Sequence, residues 1–108
     1  MLFPLSDKDI IYSKITILYF YNENTLFHYK YLLQLNEINE KYKKYNFYAI
    51  NIDYYNNIVK NFKIENVPCV VLVKNNKLIK NINLLNINNL LIYFDDILFK
   101  YEGVTNDK

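Results

Sequence analysis

The sequence predicts an α/β domain in which a central mixed sheet of four to five strands is flanked by helices on both faces. Three observations lead there. Lys14–Tyr21 (KITILYFY), Phe47–Ile52 (FYAINI) and Val67–Val73 (VPCVVLV) are β-branched and aromatic without clean polar alternation, as strands covered on both sides are. The stretches between them repeat apolar residues at spacings of three and four, the period of a helix with one buried face. The last two β runs, Val67–Val73 and Leu78–Ile82, are joined through Asn75-Asn76, and Asn tolerates the positive φ of a tight hairpin turn.

In chain order, Met1–Pro4 suits a short edge strand, because Pro4 lacks the N–H that an inner ladder needs. Ser6 with Asp9 three residues on is a plausible helix start, with the helix reaching about Tyr12. After the first buried strand, Asn22–Thr25 breaks the pattern, and Asn24 or Thr25 is placed to cap a long helix from about Leu26 to Lys44. Tyr31, Leu35, Ile38, Tyr42 and Tyr45 form its apolar stripe. Asp53 ends the second strand, and a short helix follows over Tyr55–Phe62. Pro68 is acceptable because it opens its strand. The last helix is expected from near Asn86, with Ile87, Leu90, Leu91, Phe94, Leu98 and Tyr101 inward. The order is β-α-β-α-β-α-β-β-α, a sheet between helix layers.

The 108 residues allow one domain, here residues 1–102, followed by a polar tail over residues 103–108. With 52% apolar and 22% charged residues, the chain has material for a core without disulfide or metal staples. It contains 18 Asn, 14 Ile and 12 Tyr but no Arg or Trp, a bias towards A/T-rich codons, so single Asn or Tyr residues carry little weight by themselves. One Cys and one His exclude a disulfide framework, a zinc knuckle and a CxxC pair. One Gly, at position 103, excludes a Walker loop and a GxGxxG turn, and nothing calls for a cofactor. A net charge of +2, with Lys scattered among 11 acids, argues against direct nucleic-acid contact. No apolar run reaches the ~18 residues of a membrane span, and the first residues lack the basic start of a secretory signal.

Three stretches carry a family resemblance. Ile17–Tyr21 looks like a central strand running into an active-site loop. Asn51-Ile-Asp53 is followed by Pro68 fifteen residues after the Asp, and Val67–Lys77 has the form of a proline–strand–hairpin segment. In order and at these separations they resemble the thioredoxin family over nearly the whole chain. The resemblance places the family's Cys-x-x-Cys at Thr25-Leu26-Phe27-His28, its preceding aromatic at Asn24, and its buried acid at Tyr19. Asn76 and Leu84 fall where the family often has glycines. It implies a cis Val67–Pro68 bond, with Val67 offering its backbone to an extended peptide.

The departures from the family pattern decide the expected chemistry. A Thr hydroxyl stays protonated at physiological pH and His28 forms no S–S bond, so dithiol exchange is unavailable. Thr25 and His28 share a helix face, as a nucleophile and base would, but no acid or glycine-lined oxyanion site accompanies them. Thr25 is therefore expected to cap the helix and His28 to pack or hydrogen-bond in its first turn, with no catalytic residue and no metal site assigned. Cys69 is expected as a small core hydrophobe. Its alternative is the thiol of a divergent monothiol or glutathione-dependent oxidoreductase. Tyr29, Tyr54 and Tyr55 are candidates for an interaction surface, and Lys41, Lys43 and Lys44 for a solvated helix end. The expected function is a redox-inactive protein that binds a protein partner through Asn24–His28 and the Val67–Pro68 edge, or serves as a small subunit of a larger assembly. A third reading, which the resemblance allows because the fold also serves as a scaffold there, is a component of an RNA-processing or ribosomal complex without direct RNA contact.

Overall fold

A computed structural model of the chain describes residues 1–4, 8, 10, 12, 15–75 and 77–106, the last six by their backbone alone. The elements are β1 (Ile15–Tyr21), α1 (His28–Lys41), β2 (Asn46–Asn51), α2 (Asn56–Asn61), β3 (Cys69–Lys74), β4 (Lys77–Asn83), a 3-10 turn (Leu84–Asn86) and α3 (Leu90–Asn106). They form one four-stranded mixed sheet in the order β2-β1-β3-β4. β1 pairs with β2 in parallel and with β3 antiparallel, and β3 pairs antiparallel with β4.

The missing alternation in the strands has the expected cause, since successive side chains leave a strand on opposite faces and both faces are covered. Ile15, Ile17 and Tyr19 of β1 join Phe47, Ala49, Val70 and Leu72 in one core, closed by Tyr31, Leu35 and Ile38 of α1 and by Leu90, Phe94 and Leu98 of α3. Leu18 and Phe20 join Tyr48, Ile50, Cys69, Val71 and Val73 in the other, closed by Ile58 of α2. Each fully buried side chain of this size is worth roughly 1.5–3 kcal/mol, so the two cores hold β1 in a single register.

Several boundaries differ from the sequence reading. Met1–Pro4 contributes one parallel bridge, Leu2 to Tyr48, instead of a fifth strand. The Leu2 N–H reaches Phe47 O at 2.8 Å and Leu2 O accepts from the Ala49 N–H at 2.9 Å, and Pro4 then has no N–H to continue the ladder. α1 starts at His28 and stops at Lys41 because Tyr42 turns out of the helix to stack on Tyr45, ring centroids 6.0 Å apart. The Tyr42 hydroxyl donates to Asp95 Oδ1 on α3 at 2.8 Å, and the same oxygen takes Lys41 Nζ at 2.6 Å. α3 begins later than expected and continues through Asn106, so Gly103 to Asn106, read as tail, are helical. Asn75 has φ 52°, as the hairpin needs. The expected helix start at Ser6 and Asp9, and Asn76 of the turn, lie outside the described residues.

β4 is the sheet's exposed edge, with only Ile82 buried. It carries Lys77 and Lys80 and an irregularity opposite Leu72/Val73, three features that discourage another strand from pairing there. Two asparagines shape the β4–α3 junction. Asn83 Oδ1 accepts from the Leu85 N–H at 3.0 Å and starts the 3-10 turn. Asn89 Oδ1 accepts from the Ile92 N–H at 3.1 Å, while Asn89 O takes the Tyr93 N–H, the geometry of a helix N-cap. Asn89→Ala is expected to lower stability by about 1 kcal/mol in urea unfolding, while Asn88→Ala stays within about 0.5 kcal/mol of the parent.

Candidate functional site

The site lies at the end of the sheet where β1 and β2, running in parallel, release the chain. Asn22–Thr25 closes on itself there. The Thr25 N–H donates to Asn22 O at 3.1 Å, the Asn22 N–H donates to Thr25 Oγ1 at 3.0 Å, and the Thr25 hydroxyl donates to Asn22 Oδ1 at 3.1 Å. Asn22 Oδ1 also takes the Asn24 N–H at 3.0 Å. These bonds correct one expectation. Neither Asn24 nor Thr25 caps α1: the Thr25 hydroxyl is spent inside the turn, the helix begins only at His28, and the residue at the cap position is Phe27, without a side-chain cap bond.

Phe27 stands in the left-handed region at φ 61° and ψ 24°. For a bulky residue that conformation costs on the order of 1–3 kcal/mol. Its ring is 65% exposed, beside Leu26 at 74% and Tyr29 at 78%. The strain therefore gains no burial. These three side chains, with Tyr21, Asn22, Glu23, Thr25, His28, Lys30 and Asn51, line an open cavity of about 740 Å³.

His28 begins α1 and turns back over β1. Its ring stacks on Tyr21 at 4.1 Å between centroids, and its Nδ1 lies 3.0 Å from the hydroxyl of the wholly buried Tyr19. Tyr31 meets the other edge of Tyr19. Burial lowers the His28 pKa below the ordinary imidazole value. Burial, reinforced by Tyr31, Tyr21 and Cys69, raises that of the Tyr19 phenol. Thr25 and His28 do not engage each other, and a phenol beside the imidazole does not stabilise an imidazolium as a carboxylate would. The contacts of Tyr19 and Tyr21 with His28 were not foreseen from sequence, which had placed Tyr19 only at the position of the family's buried acid. The available signal was their two-residue spacing, which puts them on one face of β1; nothing linear ties that face to His28.

The remaining candidates divide between two locations. The β1–β3 ladder starts at Phe20 with Cys69, so extending its register sets Pro68 level with Tyr21, at the same end of the sheet as the loop. The Val67–Pro68 bond is cis. Val67 is half-buried and lies outside the ladders of β3 with β1 and β4, while Pro68 O accepts from the Leu84 N–H. Neither residue lines the cavity. Cys69 is 3% exposed in the core on the α2 side, and burial pushes its thiol up to about 12. Tyr54 is exposed, whereas the Tyr55 hydroxyl donates to Pro4 O. Among the described residues, no group of three or more His, Cys, Asp or Glu side chains could hold a metal, and no helix is long and apolar enough to cross a membrane.

No protein-family model matches the chain, and no curated protein matches it. Solved structures do. An oxidised thioredoxin from Plasmodium falciparum is similar with a TM-score of 0.69 at 17% identity, over 82% of each chain. A thioredoxin from Malassezia sympodialis gives 0.66 at 17% identity over 75% of this chain and 76% of its own. A designed protein gives 0.75 at 15% identity over 89% and 90%. The chain has the thioredoxin-like fold.

Two predictions follow from the Tyr19–His28 contact. His28→Phe strands a buried phenol hydroxyl and is expected to cost about 1–3 kcal/mol in urea unfolding, whereas Tyr19→Phe with His28→Phe costs less than His28→Phe alone, because both partners are removed together. The second concerns pH. With the folded His28 pKa lowered, the unfolded chain binds more protons between the folded value and the ordinary one near ~6.5. Its stabilisation is complete well above that pH, declines as pH falls through it, and levels off below the folded value. Thermal midpoints across that window should show the decline, and His28→Gln should remove it.

Proposed function

We propose that this protein is a redox-inactive binding module of thioredoxin-like fold that holds an extended segment of a protein partner across the Asn24–His28 loop and the Val67–Pro68 edge. Phe27 is the observation that carries the proposal. The fold holds an aromatic residue in a disfavoured backbone conformation and leaves its ring in solvent, next to Leu26 and Tyr29 at the mouth of a large open cavity. Stability alone would favour glycine there, and exposed aromatic side chains with satisfied surroundings are what partner surfaces use as anchors. Val67, outside both ladders at the same end of the sheet, supplies backbone groups for an extended chain.

Loss of thiol chemistry is consistent with the side chains that replace the cysteines. The Thr25 hydroxyl is engaged in its turn and His28 Nδ1 in its contact with Tyr19. The monothiol alternative is not favoured, because Cys69 is enclosed in the opposite core and its thiol stays protonated at physiological pH.

Peptides selected from a displayed random library against the full chain test the binding. Phe27→Gly is expected to keep stability within about 1 kcal/mol of the parent or raise it, since glycine accepts positive φ, while weakening the selected peptides at least about tenfold. Failure to select any peptide, or binding indifferent to Phe27→Gly, would overturn the proposal. In parallel, insulin reduction by dithiothreitol should run no faster with the protein than without it. Turnover that disappears in Cys69→Ser would instead establish the thiol enzyme.

A further inference from the structure

The Tyr19 hydroxyl is sealed from solvent, and among the described residues its hydrogen-bond partner is His28 Nδ1 alone. A buried hydroxyl needs an acceptor for its proton. Nδ1 can accept it only in the tautomer whose ring proton sits on Nε2. The Tyr21 face lies against the imidazole at 4.1 Å and the Tyr29 ring stands at 5.2 Å, with His28 Nδ1 directed to the Tyr19 hydroxyl. His28 has no second hydrogen-bond partner among the described residues, is half-buried, and lines the cavity.

We propose that His28 is the ligand-orienting donor of this cavity: Tyr19 holds the neutral imidazole as its Nε2–H tautomer, and that N–H receives a main-chain carbonyl oxygen of the bound peptide. This rests on the peptide-binding reading above. The ligand group must be an acceptor, because an occupied Nε2 has no lone pair with which to take a proton from substrate or ligand. A neutral carbonyl fits better than a carboxylate, since the charged groups of the lining are one acid, Glu23, and one base, Lys30. The other groups around the imidazole are Tyr19 and Tyr21 from β1, Tyr29 from α1 and Asn51 from β2, with Cys69 of β3 acting on Tyr19. Burial raises the pKa of the Tyr19 and Tyr21 phenols and keeps both neutral. Burial disfavours the imidazolium, in which Nδ1 would carry a proton and the Tyr19 hydroxyl would lose its acceptor. Tyr19 is thus a positioning residue, acting through His28.

The chain has a single histidine, so one set of imidazole nitrogen resonances reports the tautomer of the full chain without assignment by mutation. The expected result is a neutral state dominated by Nε2–H, moving towards an even mixture in Tyr19→Phe. A dominant Nδ1–H tautomer, or a Tyr19→Phe spectrum unchanged from the parent, would overturn the proposal. The second arm uses the tightest library-selected peptide as probe. His28→Phe in the Tyr19→Phe background, which strands no buried hydroxyl, should weaken it about tenfold, and His28→Gln should restore binding to within about threefold by returning a donor. A peptide that binds the double variant as it binds the parent overturns the role of His28 while leaving the proposed function standing. Failure to obtain any binding peptide overturns the proposed function and the carbonyl contact together, whichever tautomer is found.

Discussion

Burial of β1 on both faces is the constraint on which the rest of the molecule depends. Seven residues from Ile15 to Tyr21 run between a parallel neighbour and an antiparallel one, with α1 and α3 over one face and α2 under the other. Strand geometry then sorts every side chain without further choice. Ile15, Ile17 and Tyr19 go to one core and Leu18 and Phe20 to the other, and the pairing register transmits the same division to β2 and β3. Tyr19 and Cys69 therefore end on opposite sides of the sheet although the two strands are neighbours. The contrast between a polar contact with His28 on one side and a buried thiol on the other is a consequence of strand parity.

The polar groups of Asn22 and Thr25 and the Tyr19 hydroxyl are satisfied locally, while the apolar side chains beside them face solvent. The Asn22–Thr25 turn uses its own hydroxyl, amide and backbone groups, and Tyr19 and His28 use each other. Leu26, Phe27 and Tyr29 have no such inward destination, because the chain enters α1 through a left-handed residue that turns them outward. Thr25 and His28 spend polar atoms on local contacts, and the exposed apolar surface lies in Leu26, Phe27 and Tyr29 beside them. Local strain at one residue and exposed aromatic area around it then occur together, as at sites where backbone conformation serves a surface and not the core.

Composition proved a poor guide to which asparagines matter. Codon bias explains why there are many, yet Asn22, Asn83 and Asn89 each close a specific backbone gap: a turn, a 3-10 start and a helix cap. Their side chains are short enough to return to the backbone two or three residues on, and glycine, which would otherwise serve such junctions, is almost absent. The three share no motif that separates them from the exposed Asn88, because a cap is defined by where the helix begins, and that is settled by which residues reach the core.

The strands, the stripes of α1 and α3, the hairpin and the lack of a Cys-x-x-Cys pair were all legible in the sequence, because they depend on periodicity over many residues or on the plain count of a residue type. The positions of the candidate loop and proline were legible through the family resemblance, which rests on order and spacing. Tertiary structure alone decided that Thr25 closes a turn, that Phe27 rather than a polar residue heads α1, that α1 stops where Tyr42 reaches Asp95, and that His28 sits on Tyr19 and Tyr21. Each of these is a contact or a backbone angle fixed by elements distant along the chain. Sequence period reports which face of an element is apolar; it carries no record of which single side chain from another element will meet it.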